Sequence, residues 1–132
     1  MKLPLTYLFD ADISIRIIKI MRLLEFDVRA VSEEFGAEAK DPEFLPKVKE
    51  RSWILVTGDR RMRRRGSPEA LALAKARVTA LFLDSFWDGM TLRQQAAWMV
   101  VYWEKVDDAV RGLQPGTQVK VRRRGGLERY AR

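Results

Sequence analysis

Three short apolar runs in this chain each stop on a carboxylate. Tyr7-Leu8-Phe9 meets Asp10-Ala11-Asp12, residues 53–58 run into Asp59, and residues 78–83 close on Asp84. If the runs are strands of a parallel sheet, their ends share one edge, and acids distant in sequence meet in one cleft. Asp59 is followed at once by Arg60-Arg61-Met62-Arg63-Arg64-Arg65. Carboxylate oxygens suit a hard divalent cation, and planar guanidinium groups suit phosphate. Side by side, the two point to metal-assisted hydrolysis of a phosphodiester.

Composition narrows the alternatives. The chain has no Cys and no His. Disulfides, thiolate-held zinc, Ser-His-Asp and Cys-His nucleophile systems and the usual zinc catalytic sites are therefore excluded. Chemistry must come from carboxylates, hydroxyls, Lys, Arg or a bound metal. The 132 residues, 47% of them hydrophobic, suffice for one domain with a single core. The apolar stretch after Lys2 breaks at Pro4 and ends by Asp10, too short for a signal peptide. No stretch approaches the roughly 20 apolar residues of a membrane span. The expectation is a cytoplasmic protein without membrane contact.

The net charge of +7 is unevenly distributed. Residues 60–65 hold five Arg, and residues 116–132 hold six Lys or Arg against one Glu, leaving the rest slightly acidic. Two compact basic clusters point to a polyanion, with nucleic acid ahead of an anionic membrane surface. A merely solvated surface is the plain alternative.

Around these residues the pattern predicts alternating elements. Residues 6–9 read as a buried strand; Ile13, Ile17, Met21 and Leu24, widened by Ile15 and Ile18, give a helix face. Residues 28–31 alternate as a second strand, and 32–40 read as a polar loop. Asp41-Pro42-Glu43 has the form of a helix start with Asp41 as N-cap, burying Phe44, Leu45 and Val48. A third strand spans 53–56, a helix opens at Ser67-Pro68-Glu69, and a fourth strand spans 78–83. Leu92, Ala96, Met99, Trp103, Val106 and Val110 mark a long amphipathic helix. Trp98 and Tyr102 fall off its stripe and are expected to form a lateral patch for a partner or a homodimer. The expected organisation is one domain over 1–115, then a basic tail or hairpin over 116–132.

This order predicts an α/β fold with a mostly parallel four-stranded sheet, order 2-1-3-4. The first and third strands are then neighbours whose connections leave in opposite directions, the switch point where open α/β sheets bind ligands. Asp10 and Asp59 fall there. Each acid also has a plain structural reading: Asp10 or Asp12 could cap the first helix in competition with Ser14, and Asp59 could form an Asx turn. Asp41 and Glu69 are accounted for by helix starts. Two carboxylates converging at a switch point, however, repel unless one is protonated or a cation lies between them. Asp10 and Asp59 are accordingly assigned as metal ligands and Asp41 as a further ligand, with Asp12, Glu43 and Glu69 as additional candidates. Arg60, Arg61, Arg63, Arg64 and Arg65 are assigned to the phosphates of a nucleic acid, which the resemblance below narrows to RNA.

The segments Leu8-Phe9-Asp10-Ala11-Asp12-Ile13-Ser14, Asp41-Pro42-Glu43-Phe44-Leu45-Pro46 and Ile54-Leu55-Val56-Thr57-Gly58-Asp59-Arg60-Arg61-Met62-Arg63-Arg64 resemble PIN-like domain proteins. Within these the likeness is to the short prokaryotic group related to VapC-type toxins, over residues 6 to about 111. The resemblance implies a three-layer α/β/α sandwich, Mg²⁺- or Mn²⁺-dependent cleavage of RNA, and an antitoxin protein as partner. Asp10 matches the first family acid, Asp41 the middle one, and Asp59 the acid after the third strand. Asp12 stands where relatives more often have Asn, and Gly58 where they usually have Arg. A clear fourth acid is missing; Glu69 and Asp84 are the stand-ins. The expected function is a metal-dependent endoribonuclease toxin, with Asp10, Asp41 and Asp59 catalytic. The alternative is a non-catalytic basic module that binds RNA or protein on the same fold.

Overall fold

The computed structural model describes residues 3–130, apart from the side chain of Asp41. The strands are β1 (Thr6–Phe9), β2 (Asp27–Ala30), β3 (Ile54–Thr57), β4 (Ala80–Leu83), β5 (Gln118–Val121) and β6 (Leu127–Arg129). The helices are α1 (Ile15–Leu23), α2 (Val31–Phe35), α3 (Asp41–Glu50), α4 (Pro68–Ala76) and α5 (Leu92–Val110), with a 3₁₀ turn at Arg60–Met62. The fold is α/β with a mostly parallel sheet, as expected. The sheet has six strands rather than four, and its order is β2-β1-β3-β4-β5-β6. The two additional strands come from the basic C-terminal segment. There β5 pairs parallel with β4 and β6 folds back antiparallel on β5.

Alternating side chains divide the core between the two faces of the sheet. Tyr7, Phe9, Val56, Leu81 and Leu83 point to the side covered by α1 and α5, where Ile17, Met21, Met99 and Trp103 are buried. Leu8, Leu55, Ala80 and Phe82 point to the other side, where α3 and α4 contribute Phe44, Leu45, Val48 and Leu73. The result is three layers.

Local chemistry sets the boundaries. Ser14 caps α1 by accepting from the Arg16 N–H, Ser67 caps α4 through Ala70, and Thr91 with Gln94 forms a capping box on α5. The links into β2, β3 and β4 are tight, and each uses a non-glycine residue at positive φ: Glu25, Ser52 and Arg77. Sequence expectations shift at several places. Ile15 and Leu24 are exposed rather than on the buried face of α1. Residues 31–35 form α2 instead of ending a strand and starting a loop. The N-cap of α3 is Lys40, not Asp41. The most consequential correction concerns Trp98, which is 5% exposed and packs in the core instead of forming an outer patch. Its indole N–H donates to the Arg123 carbonyl at 2.7 Å, so the β5–β6 turn covers it. Among the described residues, no helix is long and apolar enough to cross a membrane.

Candidate active site

The site grows from the register of two neighbouring strands. β1 and β3 pair with Phe9 opposite Val56, and the Asp10 N–H continues the ladder onto the Val56 carbonyl at 2.9 Å. The next residue on each strand is therefore Asp10 beside Thr57. The Thr57 hydroxyl, fully buried, lies 2.8 Å from Asp10 Oδ2 and 3.4 Å from Asp12 Oδ1. One side chain of β3 thus gathers both carboxyls that follow β1. The other oxygen of each acid is held by backbone, Asp10 Oδ1 by the Ala11 N–H at 2.8 Å and Asp12 Oδ2 by the Gly58 N–H at 2.9 Å.

Gly58 is required by this arrangement. A Cβ there would stand 2.8 Å from Asp12 Oδ2, closer than real Cβ contacts allow. Positions 12 and 58 thus form one contact.

The electrostatics follow from this crowding. Burial raises the pKa of Asp10; its hydrogen bonds from Thr57 and Ala11 oppose the shift, and the Asp59 charge adds to it. Asp12 as a residue is exposed, but its carboxyl end is shielded against the end of β3. That burial, with the neighbouring Asp10 charge, lifts its pKa to about 6. Asp59 behaves oppositely. Its carboxylate accepts from the Arg61 side chain at 2.8 Å and from the Arg61 N–H at 2.9 Å, and the Arg61 guanidinium holds its pKa below the usual range. The Asp59 N–H in turn donates to the Thr57 hydroxyl at 3.0 Å, tying all three acids to one residue.

The expected site residues separate into groups. Asp10, Asp12 and Asp59 come together around Thr57. Asp41 opens α3, and its side chain lies outside the described residues. Glu43 is exposed in the first turn of α3 and makes no hydrogen bond or ion pair to the cluster. Glu69 reaches the edge of the cluster, 3.9 Å from Arg61. Asp84 is occupied by arginines: Arg63 lies 3.4 Å and Arg122 3.6 Å from its oxygens. Burial works upward on Asp84, but the Ser85 N–H and both guanidinium groups outweigh it and hold its pKa low.

The arginine run is not uniformly available for a ligand. Arg61 is committed to Asp59, Arg63 to Asp84, and Arg60 lies 3.5 Å from Asp88. Arg64 and Arg65 are exposed and ion-pair with none of the described residues. Thr57 is the residue that sequence reasoning missed. The available signal was a lone hydroxyl closing an otherwise aliphatic buried strand, two residues before an acid.

A family model described as a PIN-like domain matches residues 5–85, more than half of the chain. The chain belongs to the PIN-like domain family. Its matched segment contains β1 to β4 and the whole Asp10–Asp12–Thr57–Asp59 cluster, whereas α5, β5 and β6 lie beyond it. No curated protein and no solved structure matches the chain.

The donor set of the cluster fits Mg²⁺ or Mn²⁺. It is all oxygen, it contains two carboxyls sharing one hydroxyl, and the buried Asp10 has no cationic side chain bonded to it. Such ions are commonly held by one or two carboxylates with waters completing the shell. Among the described residues, no group of three or more acids forms a ready cage for a metal ion.

Proposed function

We propose that this PIN-like domain is a metal-dependent endoribonuclease, acting as the toxin of a toxin–antitoxin pair. The observation that carries the reading is the Thr57 hydroxyl set between the Asp10 and Asp12 carboxyls at the switch point of the sheet. Asp10 and Asp12 would hold the ion, with Asp59 joining when Arg61 turns toward substrate, and Asp41 retained as a further candidate. When bound, Mg²⁺ or Mn²⁺ supplies activation of water and stabilisation of charge on the phosphodiester.

The chain's own residues do the rest. Thr57 orients the Asp10 carboxylate, and the Gly58 N–H fixes Asp12 against the end of β3. Arg61 holds the Asp59 carboxylate in place and favours its charged form. Arg64 and Arg65, already exposed, meet the phosphate backbone first. Arg60 can exchange its carboxylate for phosphate, since its ion pair with Asp88 is long and exposed on both sides, whereas Arg61, bidentate on Asp59, must first give up that carboxylate.

The test is cleavage of a short RNA by the purified chain. Turnover should require Mn²⁺ or Mg²⁺, stop in EDTA, and fall at least tenfold in Asp12→Asn and Asp59→Asn with melting largely preserved. Undiminished cleavage in Asp59→Asn would remove that residue from the site. Toxicity has its own readout: expression should arrest growth, with relief by a protein encoded beside the chain.

A second reading is favoured by one specific feature. Asp59 is closed onto Arg61, and no cage of three described acids is assembled. On that basis the chain would be a basic RNA-binding module without turnover, recognised by salt-sensitive binding and by no cleavage in either metal.

A further inference from the structure

Beside the acidic cluster, on the same edge of the sheet, a groove of about 880 Å³ runs between the end of β4 and the β5–β6 turn. This volume falls in the roughly 300–1,000 Å³ range of ligand pockets. Phe86, the α5 residues Trp98 and Tyr102, and Arg123 and Arg124 are among the residues that line the groove. Phe86 and Tyr102 are half-buried and flank the Trp98 ring at centroid distances of 5.2 and 5.5 Å, tilted by 38° and 37°. Trp87, adjacent to Phe86, packs on Trp98 at 6.0 Å and lies 3.7 Å from where a Cβ on Gly58 would stand. One aromatic residue therefore separates the groove from the acids.

The turn that carries the two arginines is pinned by its backbone. The Arg123 carbonyl accepts from Trp98 and the Arg124 carbonyl accepts from Lys105 at 2.9 Å. Their guanidinium groups, by contrast, are exposed and ion-pair with none of the described residues. Arg63 and Arg122 nearby share Asp84, so the unpaired state of Arg123 and Arg124 is not general to the region. Among the described residues, no carboxylate lines the groove. Half-buried rings beside two uncompensated cations match a ligand with flat apolar faces and a negative backbone. Bases reach such rings only when unstacked, which selects a single strand over a duplex.

We propose that this groove binds single-stranded RNA flanking the cleavage point, with a base against Phe86 and Tyr102 and phosphates on Arg123 and Arg124. The inference deepens the ribonuclease reading and rests on it for the cleavage point. It can be tested separately by measuring binding without turnover. A labelled oligoribonucleotide of about 10 nucleotides, within single-strand site sizes, is titrated in EDTA by fluorescence anisotropy, next to the same sequence as a duplex.

The double variant R123A/R124A should bind the single strand at least tenfold more weakly. Its log–log salt slope should be shallower by about 1.4, the value for two lost single-strand phosphate contacts. Tyr102→Ala should also weaken binding about tenfold, whereas R123K/R124K should retain most of it. In Mn²⁺, R123A/R124A should raise KM and leave kcat unchanged. Unchanged affinity in a normally melting R123A/R124A overturns the proposal and leaves the groove to a protein partner. An equal loss for duplex overturns the stacked-base mode. A wild-type chain that binds through the groove but never cleaves would sink the nuclease reading while upholding the groove.

Discussion

Thr57 has one proton to donate and two carboxyls to serve, and it also receives the Asp59 N–H. Thr57→Val keeps the shape and removes all three contacts. The variant should lose about 1–3 kcal/mol, the cost of leaving buried polar groups unpaired, as read by urea denaturation; cleavage should fall with it, and Thr57→Ser should restore both. Asp12 adds a pH signature. Its pKa is raised from 3.8 to about 6 in the folded chain, so between those values the folded state holds a proton that the unfolded state releases. Stability in chelator should therefore fall as pH rises from about 4 to 6 and level off above. Asp12→Asn should flatten that slope in thermal melts, and Mn²⁺ should raise the wild-type melting temperature above pH 6. From sequence alone the convergence of Asp10 and Asp59 was legible from the strand order, but the joining of Asp10 to Asp12 through Thr57 was not. It depends on the β1–β3 register, which puts residue 57 level with residue 10, and on the absence of a side chain at Gly58.

Elements were legible where apolar spacing and caps agreed. α5 combines a regular stripe with a definite end, and Ser67-Pro68-Glu69 marks the start of α4 by composition alone. α2 was not legible, because five residues carry too little periodicity to separate a helical turn from a loop. Ser67 joins two elements. Its hydroxyl accepts from the Ala70 N–H at 3.0 Å and donates to the Arg61 carbonyl, so it caps α4 and anchors the arginine turn. Ser67→Ala should lower stability by about 1 kcal/mol in chemical denaturation. It should also loosen the turn, raising KM for RNA more than it lowers kcat. Trp98 shows the limit of helix-face reasoning. It lies beside the stripe of α5, where it would be exposed if the molecule ended at β4, and the turn after β5 buries it.

At the scale of the molecule, the adjacency of β1 and β3 followed from the connection rule. The length of the sheet did not. Gln118-Val119-Lys120-Val121 alternates polar and apolar residues, and only one of its faces is buried. Such a strand reads equally as a tail or an edge until its partner, the wholly buried β4, is known. The hairpin closes over Trp98, extends the sheet past the family-matched segment and reaches back to the site. The Tyr130 hydroxyl donates to the Arg63 carbonyl at 2.6 Å, and Arg122 reaches Asp84. Asp84 therefore acts as a clasp with a second effect. By occupying one guanidinium from each basic segment, it keeps two positive charges from advertising themselves to every passing polyanion. Asp84→Asn should release Arg63 and leave Arg122 to Glu128, whose carboxylate also pairs with it. Indiscriminate adhesion to heparin or duplex DNA should rise at low ionic strength while the melting temperature drops, so the wild-type chain trades stickiness for selectivity through a single carboxylate.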